Sequence, residues 1–171
     1  AYLFDSIKEL DLPINIVIVS DHGMRQIKKE NTFYLDDYVS LSETVTVAGA
    51  GSLSILYFSN KSEIEKNYRD LKGCPYIDVY KYNEIPSHLH VKHEKHMGDI
   101  LIKVKSPYYM LLSKSRSSVV QGEHGYDPIL DKDMHGIFYA FGPQIKKAVK
   151  VSAFRNIYVH NFILNFYNLD Q

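Results

Sequence analysis

Apolar positions fall into short runs along this chain, and their spacing changes from one run to the next. Leu3, Ile7 and Leu10 recur at helical intervals, which predicts a helix over residues 2–10. "INIVIVS", residues 14–20, does not alternate with polar positions and reads as a strand buried on both faces. Residues 53–58, "LSILYF", predict another strand. In "SEIEKNYRDLKG", residues 62–73, Ile64, Tyr68 and Leu71 line one face of a predicted helix. Ser62 with Glu65 offers a capping box there, and Gly73 a C-cap. "DILIKVK", residues 99–105, alternates apolar and charged side chains, the pattern of an edge strand or one with an exposed face. "GIFYAFG", residues 136–142, predicts a third buried-type strand, ended by Gly142-Pro143. Ile157, Phe162, Phe166 and Leu169 mark a final helix. Strands alternating with helices favour an α/β fold with a largely parallel sheet flanked by helices. Ligands in such sheets gather beyond the carboxyl ends of the strands.

Asp21 and His22 stand at one such end, followed by Gly23. Neighbours within a strand point to opposite faces, but the alternation breaks where a strand ends, and glycine lets the backbone turn. Both side chains could then converge on one cation. A carboxylate with an imidazole suits zinc or another borderline divalent metal; the competing reading is a polar turn with an incidental histidine. "QGEHGYDP", residues 121–128, repeats the pattern with His124 and Gly125, and carries Asp127 three residues later. Tyr126 is a candidate pocket-lining residue. A third cluster holds His88, His90, His93 and His96, but Lys92 and Lys95 interleave with them and the spacing matches no compact site. A solvated surface or substrate rim is favoured there over a metal site. No G-x-S-x-G elbow occurs, and "AGAGS", residues 48–52, lacks the Lys or third Gly of a phosphate loop.

The remaining composition narrows the class of protein. Among 171 residues, 45% are hydrophobic and 13% aromatic, enough for a real core. Twenty basic and twenty acidic side chains cancel, so no net field attracts nucleic acid or an anionic membrane. No apolar run approaches the ~20 residues of a transmembrane helix. The opening "AYLFDSIKELDL" lacks the pattern of a signal peptide and does not start with Met. Cys74 is single, which excludes an internal disulfide or thiolate cluster. Asn60-Lys61-Ser62 is a glycosylation sequon.

The ordered set "IVIVSDHGM", "EIPSHLHVKHEKHMGDILIKV", "GEHGYDP", "MHGIFYAFGP" and "FRNIYVHNFILNFYNL" resembles the nucleotide pyrophosphatase/phosphodiesterase family of the alkaline phosphatase superfamily. The likeness runs across nearly the whole chain. It implies an alkaline-phosphatase-like α/β fold, with residues 1–171 forming the C-terminal portion of a phosphodiesterase catalytic domain. The implied reaction is hydrolysis of phosphodiester or pyrophosphate bonds through two zinc ions and a covalent phosphoryl-enzyme. Matched residue by residue, the family's Asp-His pair falls on Asp21 and His22, ligands of the zinc that also binds the nucleophile. Its later His-Gly turn falls on His124, a ligand of the second zinc. The His88–His96 segment matches a region of the family that ligates nothing.

The family also needs a nucleophilic Thr or Ser, an early Asp, and an Asp followed four residues later by His, all before the "SDHG" strand. "AYLFDSIKELDLPINIVIVS" contains none of them, so the nucleophile is expected upstream and the fragment alone is expected to be inactive. The missing N-terminal half and a small phosphodiester or nucleotide are the expected partners. Glu123 and Pro128 depart from the Asp and Asn common in the family, and Pro128 is expected to restrict the loop that aims His124. The resemblance points to an extracellular, cell-surface or periplasmic location. Alternatives are a non-catalytic metal-binding relative and a phosphomonoesterase of the same superfamily, which an extra Lys or Arg over the site would favour.

Overall fold

The computed structural model describes residues 2–40, 42–115 and 120–167. Its elements follow in the order α1 (Tyr2–Glu9), β1 (Ile16–Val19), β2 (Arg25–Gln26), β3 (Thr32–Tyr34), β4 (Val45–Ala48), β5 (Leu53–Phe58) and α2 (Ile64–Lys72). They continue with β6 (Ile77–Lys81), β7 (Ile100–Val104), β8 (Tyr109–Leu111), β9 (Gly122–Glu123), β10 (Phe138–Phe141) and α3 (Tyr158–Tyr167). Two units share them: Met24–Met134, and Ala1–Gly23 with His135–Gln171.

The Met24–Met134 unit is built on a four-stranded sheet in the order β4-β5-β7-β6, with every neighbouring pair antiparallel. Alternate side chains of β5 are buried, and Leu56 and Phe58 enter the core beside Ile100, Ile102, Val104 and Leu71 of α2. Fully burying each such side chain is worth roughly 1.5–3 kcal/mol. The expected largely parallel sheet is therefore corrected: among the described residues only β3 and β8 pair in parallel. The reason lies in the connection. β5, α2 and β6 do form a crossover with both strands running the same way, but β7 lies between them, antiparallel to each. Alternating strands and helices reveal the crossover without revealing that its two strands are split by a third.

β7 also corrects the edge-strand expectation. It is central, all five of its residues are buried, and Lys103 is among them. In α2, Ile64, Tyr68 and Leu71 face the core as the periodicity indicates. The capping box does not form. Asn60 Oδ1 instead accepts from Ser62 N (3.2 Å) at the turn before the helix, and Glu65 pairs with Lys81. Gly73 is the C-cap, in a right-handed conformation.

In the other unit β1 and β10 pair antiparallel, Ile16 opposite Phe141 and Val19 opposite Phe138. Phe4 of α1 packs on Phe141, with ring centroids 5.2 Å apart. Phe138 takes Phe154 at 5.1 Å and Phe162 of α3 at 5.3 Å. A strand buried on both faces is not what β1 is: Ile16, Val17 and Ile18 are half-buried and Val19 is 44% exposed. Among the described residues its sheet has two strands, too narrow to enclose it. Leu3 and Leu10 are likewise exposed, and Phe4 rather than Leu3 packs inward. Phe162 and Phe166 stack edge-on along α3, Ile157 is exposed just before it, and Leu169 lies outside the described residues. No helix among the described residues is long and apolar enough to cross a membrane.

Candidate metal centre

The end of β1 is tied to the chain leading into β10. Ser20 N donates to Ile137 O (3.1 Å), and Ile137 N donates back to Ser20 Oγ (2.8 Å). The backbone then turns, and the side chains of Asp21 and His22 meet. Asp21 Oδ1 accepts from the His22 backbone N–H at 3.0 Å, which orients the carboxylate toward its neighbour. His22 Nδ1 lies 2.7 Å from Gly23 O. A carbonyl can only accept, so in the neutral ring Nδ1 carries the proton and Nε2 carries the lone pair. That Nε2 sits 3.4 Å from Asp21 Oδ2. Two ligands held 2.0–2.1 Å from a tetrahedral zinc are about 3.3–3.4 Å apart, so the pair fits two vertices of such a site. A backbone carbonyl on the far ring nitrogen is the usual orienting contact of a ligating histidine. Asp21 is largely exposed and open to a cation. No group of three or more His, Cys, Asp or Glu gathers around one metal position among the described residues. Asp21 and His22 thus offer two candidate ligand atoms rather than a closed set.

His124 belongs to the other unit. It follows β9, which pairs with β2, and precedes Gly125 at φ +90°. Its side chain is exposed, and its carbonyl accepts from Ser52 Oγ at 2.6 Å. The residues after it are anchored inward. Tyr126 is buried and donates to Tyr108 O at 2.6 Å, with burial pushing its phenol pKa up. Buried Asp127 accepts from Ile129 N at 3.0 Å and from Lys103 Nζ at 3.1 Å, with His88 Nε2 also 3.1 Å away. Lys103 reaches Asp78 Oδ2 as well, at 3.4 Å. Burial opposes the charge on Asp127, but the bonds from His88, Ile129 and Lys103 outweigh it and hold the carboxyl below its usual range. Burial likewise opposes the charge on Lys103, and Asp127 outweighs it, so the ammonium pKa is raised. Pro128 opens the turn that Leu130 N and Asp131 N close on Asp127 O, where a helical turn needs no N–H.

The histidine cluster forms no metal set. His88 is taken up by Asp127, and His93 and His96 stack on each other at 4.6 Å in an exposed segment. Tyr126 does line a cavity of about 370 Å³, along with Arg25, Asp78, Lys103, Asp127 and Asp131, whose charges pair with one another. Ser52 and Lys103 are not among the residues that the sequence singles out. Their signals are a serine after Gly51 and a lysine inside "ILIKV".

A model of the type I phosphodiesterase / nucleotide pyrophosphatase family matches residues 1–127. A Caenorhabditis elegans protein, ectonucleotide pyrophosphatase/phosphodiesterase C27A7.1, is 31% identical over 92% of this chain, which spans 19% of that relative. The Xenopus laevis bis(5'-adenosyl)-triphosphatase enpp4 is 30% identical over 93% of this chain, here 34% of the relative's length. Among solved structures, human ectonucleotide pyrophosphatase/phosphodiesterase 5 superposes with a TM-score of 0.90 at 27% identity, over 99% of this chain and 45% of that one. The murine counterpart, an inactive variant in complex with AMP, gives 0.89 at 30% identity, with the same coverage. On the family model and these relatives, the chain belongs to the type I phosphodiesterase / nucleotide pyrophosphatase family.

Proposed function

We propose that the protein carrying this chain hydrolyses phosphodiester or pyrophosphate bonds at a two-zinc site, with Asp21 and His22 on one zinc and His124 on the other. The observation that carries this reading is the His22 ring: Nδ1 is spent on the Gly23 carbonyl, and Nε2 stands 3.4 Å from Asp21 Oδ2. Bound zinc supplies charge neutralisation for a phosphoryl group and a lowered pKa for a coordinated hydroxyl. The chain's own part is to hold ligand atoms in place. Asp21 contributes a carboxylate fixed by its neighbour's N–H, His22 a single-tautomer imidazole, and His124 an imidazole on an anchored loop. The nucleophile, and with it a covalent phosphoryl-enzyme, belongs to the remainder of the catalytic domain, which we propose precedes this chain. A nucleotide is the favoured substrate, because one relative is a bis(5'-adenosyl)-triphosphatase and another holds AMP. We propose an extracellular, cell-surface or periplasmic location, which rests on the family resemblance alone.

The test is hydrolysis by the full-length protein of a bis-nitrophenyl diester against the mono-nitrophenyl ester, before and after chelation of zinc. Preference for the diester, lost with the metal, is expected, as is loss of most activity in His22→Ala. Preference for the monoester moves the protein elsewhere in the superfamily. Near-normal turnover by His22→Ala sinks the ligand assignment.

A further inference from the structure

We infer that Ser52 is a positioning residue for His124, setting from behind the loop that presents this imidazole to metal. The inference rests on the reading of His124 as a ligand and goes beyond it. Ser52 ends the turn between β4 and β5, the "AGAGS" stretch. Its backbone is held on two sides. Its carbonyl accepts from Val104 N of β7 at 2.8 Å, and the adjoining Gly51 exchanges hydrogen bonds of 2.9 and 3.1 Å with Met110 of β8. The residue is 4% exposed, and its hydroxyl has one proton to give. The shorter contact, 2.6 Å to His124 O, takes it; Glu123 Oε1 is 3.3 Å away.

Two glycines permit this approach. A Cβ on Gly125, which has φ +90°, would stand 2.7 Å from Ser52 Oγ. A Cβ on Gly51, which has φ +75°, would stand 2.9 Å from Glu123 Oε2. The residues on either side of His124 are therefore pressed against Gly51 and Ser52, and the peptide of His124 itself is bonded to the Ser52 hydroxyl. A buried donor on a ligand's own backbone fixes the origin of the side chain, so binding a metal costs less ordering of the loop. Removing that donor strands a carbonyl that now has its partner and frees the loop to shift.

The experiment compares Ser52→Ala, Ser52→Thr and Ser52→Val in the full-length protein. Threonine and valine match in shape and differ by the hydroxyl, so the comparison survives even if alanine at this site prevents folding. The readouts are zinc retained against a graded chelator, melting of the zinc-free protein, and kcat and KM for the bis-nitrophenyl diester. Ser52→Val, and Ser52→Ala where it folds, are expected to lose zinc about tenfold more readily, with kcat lowered and KM little changed. Ser52→Thr is expected to retain it. Equal zinc retention by the threonine and valine variants overturns the positioning role. His124→Ala serves as the reference: if it keeps its full zinc, His124 is not a ligand, and that failure is separable from a failure of Ser52.

Discussion

Lys103 and Asp127 are both nearly excluded from solvent and bonded at 3.1 Å, with Asp78 and His88 completing their surroundings. Breaking a buried pair by removing one partner leaves the other charge uncompensated and typically costs about 3–5 kcal/mol, whereas an apolar replacement of both costs far less. Lys103→Met is thus expected to lower stability by roughly that amount, and Lys103→Met with Asp127→Leu by less, as read by urea unfolding. The sign of the pH dependence follows from the shifts. Asp127 titrates below its unfolded value of about 4, so its stabilisation is present above that value and lost as pH falls through the folded one. Lys103 titrates above its unfolded value of about 10.4, so its share is present below that and lost as pH rises through the folded one. Asp127→Asn is expected to remove part of the acid-side loss. At this scale Asp21, His22 and His124 were visible as candidates, through Asp-His-Gly at the end of a strand and Glu-His-Gly in a polar turn. Lys103 was not, since apolar and charged alternation reads the same whether the charge meets water or a buried carboxylate.

Between elements, burial separates strands that look alike on paper. Leu56 in β5 is fully buried, while Val19 in β1 is 44% exposed, although both sit in strongly apolar runs. Leu56→Ala is expected to cost about 2–5 kcal/mol and Val19→Ala within about 0.5 kcal/mol, by chemical denaturation of the two variants side by side. The locations of β5, α2, β7, β10 and α3 could be read from period and punctuation. Pairing could not. Strand order depends on contacts between residues far apart in the chain, and local periodicity carries no record of them. The capping of α2 shows the same limit over a shorter range: Ser62 and Glu65 have the right spacing, yet Asn60 and Lys81 offer the bonds that form.

For the whole molecule, the two units differ in how their backbones are protected. The four-stranded sheet of Met24–Met134 encloses a continuous apolar cluster. The β1–β10 ribbon has two strands and leaves Tyr139 62% and Val19 44% exposed. A two-stranded ribbon is marginal by itself, so its amides open more readily. Hydrogen exchange of the chain is expected to be slowest in Ile100–Val104 and faster in Ile16–Val19 by a clear margin. Equal protection of the two strands would contradict this division.

The place of β7 between β5 and β6 bears on how the chain acquires its fold. Synthesis delivers β5, α2 and β6 first, and they cannot close a sheet on each other because the gap between them belongs to residues 100–104. Until that segment leaves the ribosome, the facing edges of β5 and β6 have no partner and the apolar face of α2 has no finished surface to cover. The step that completes the four-stranded sheet is therefore an insertion with a long loop to close. Such non-local closure is slow compared with helix formation. It exposes two unpaired strand edges to other chains for as long as it lasts.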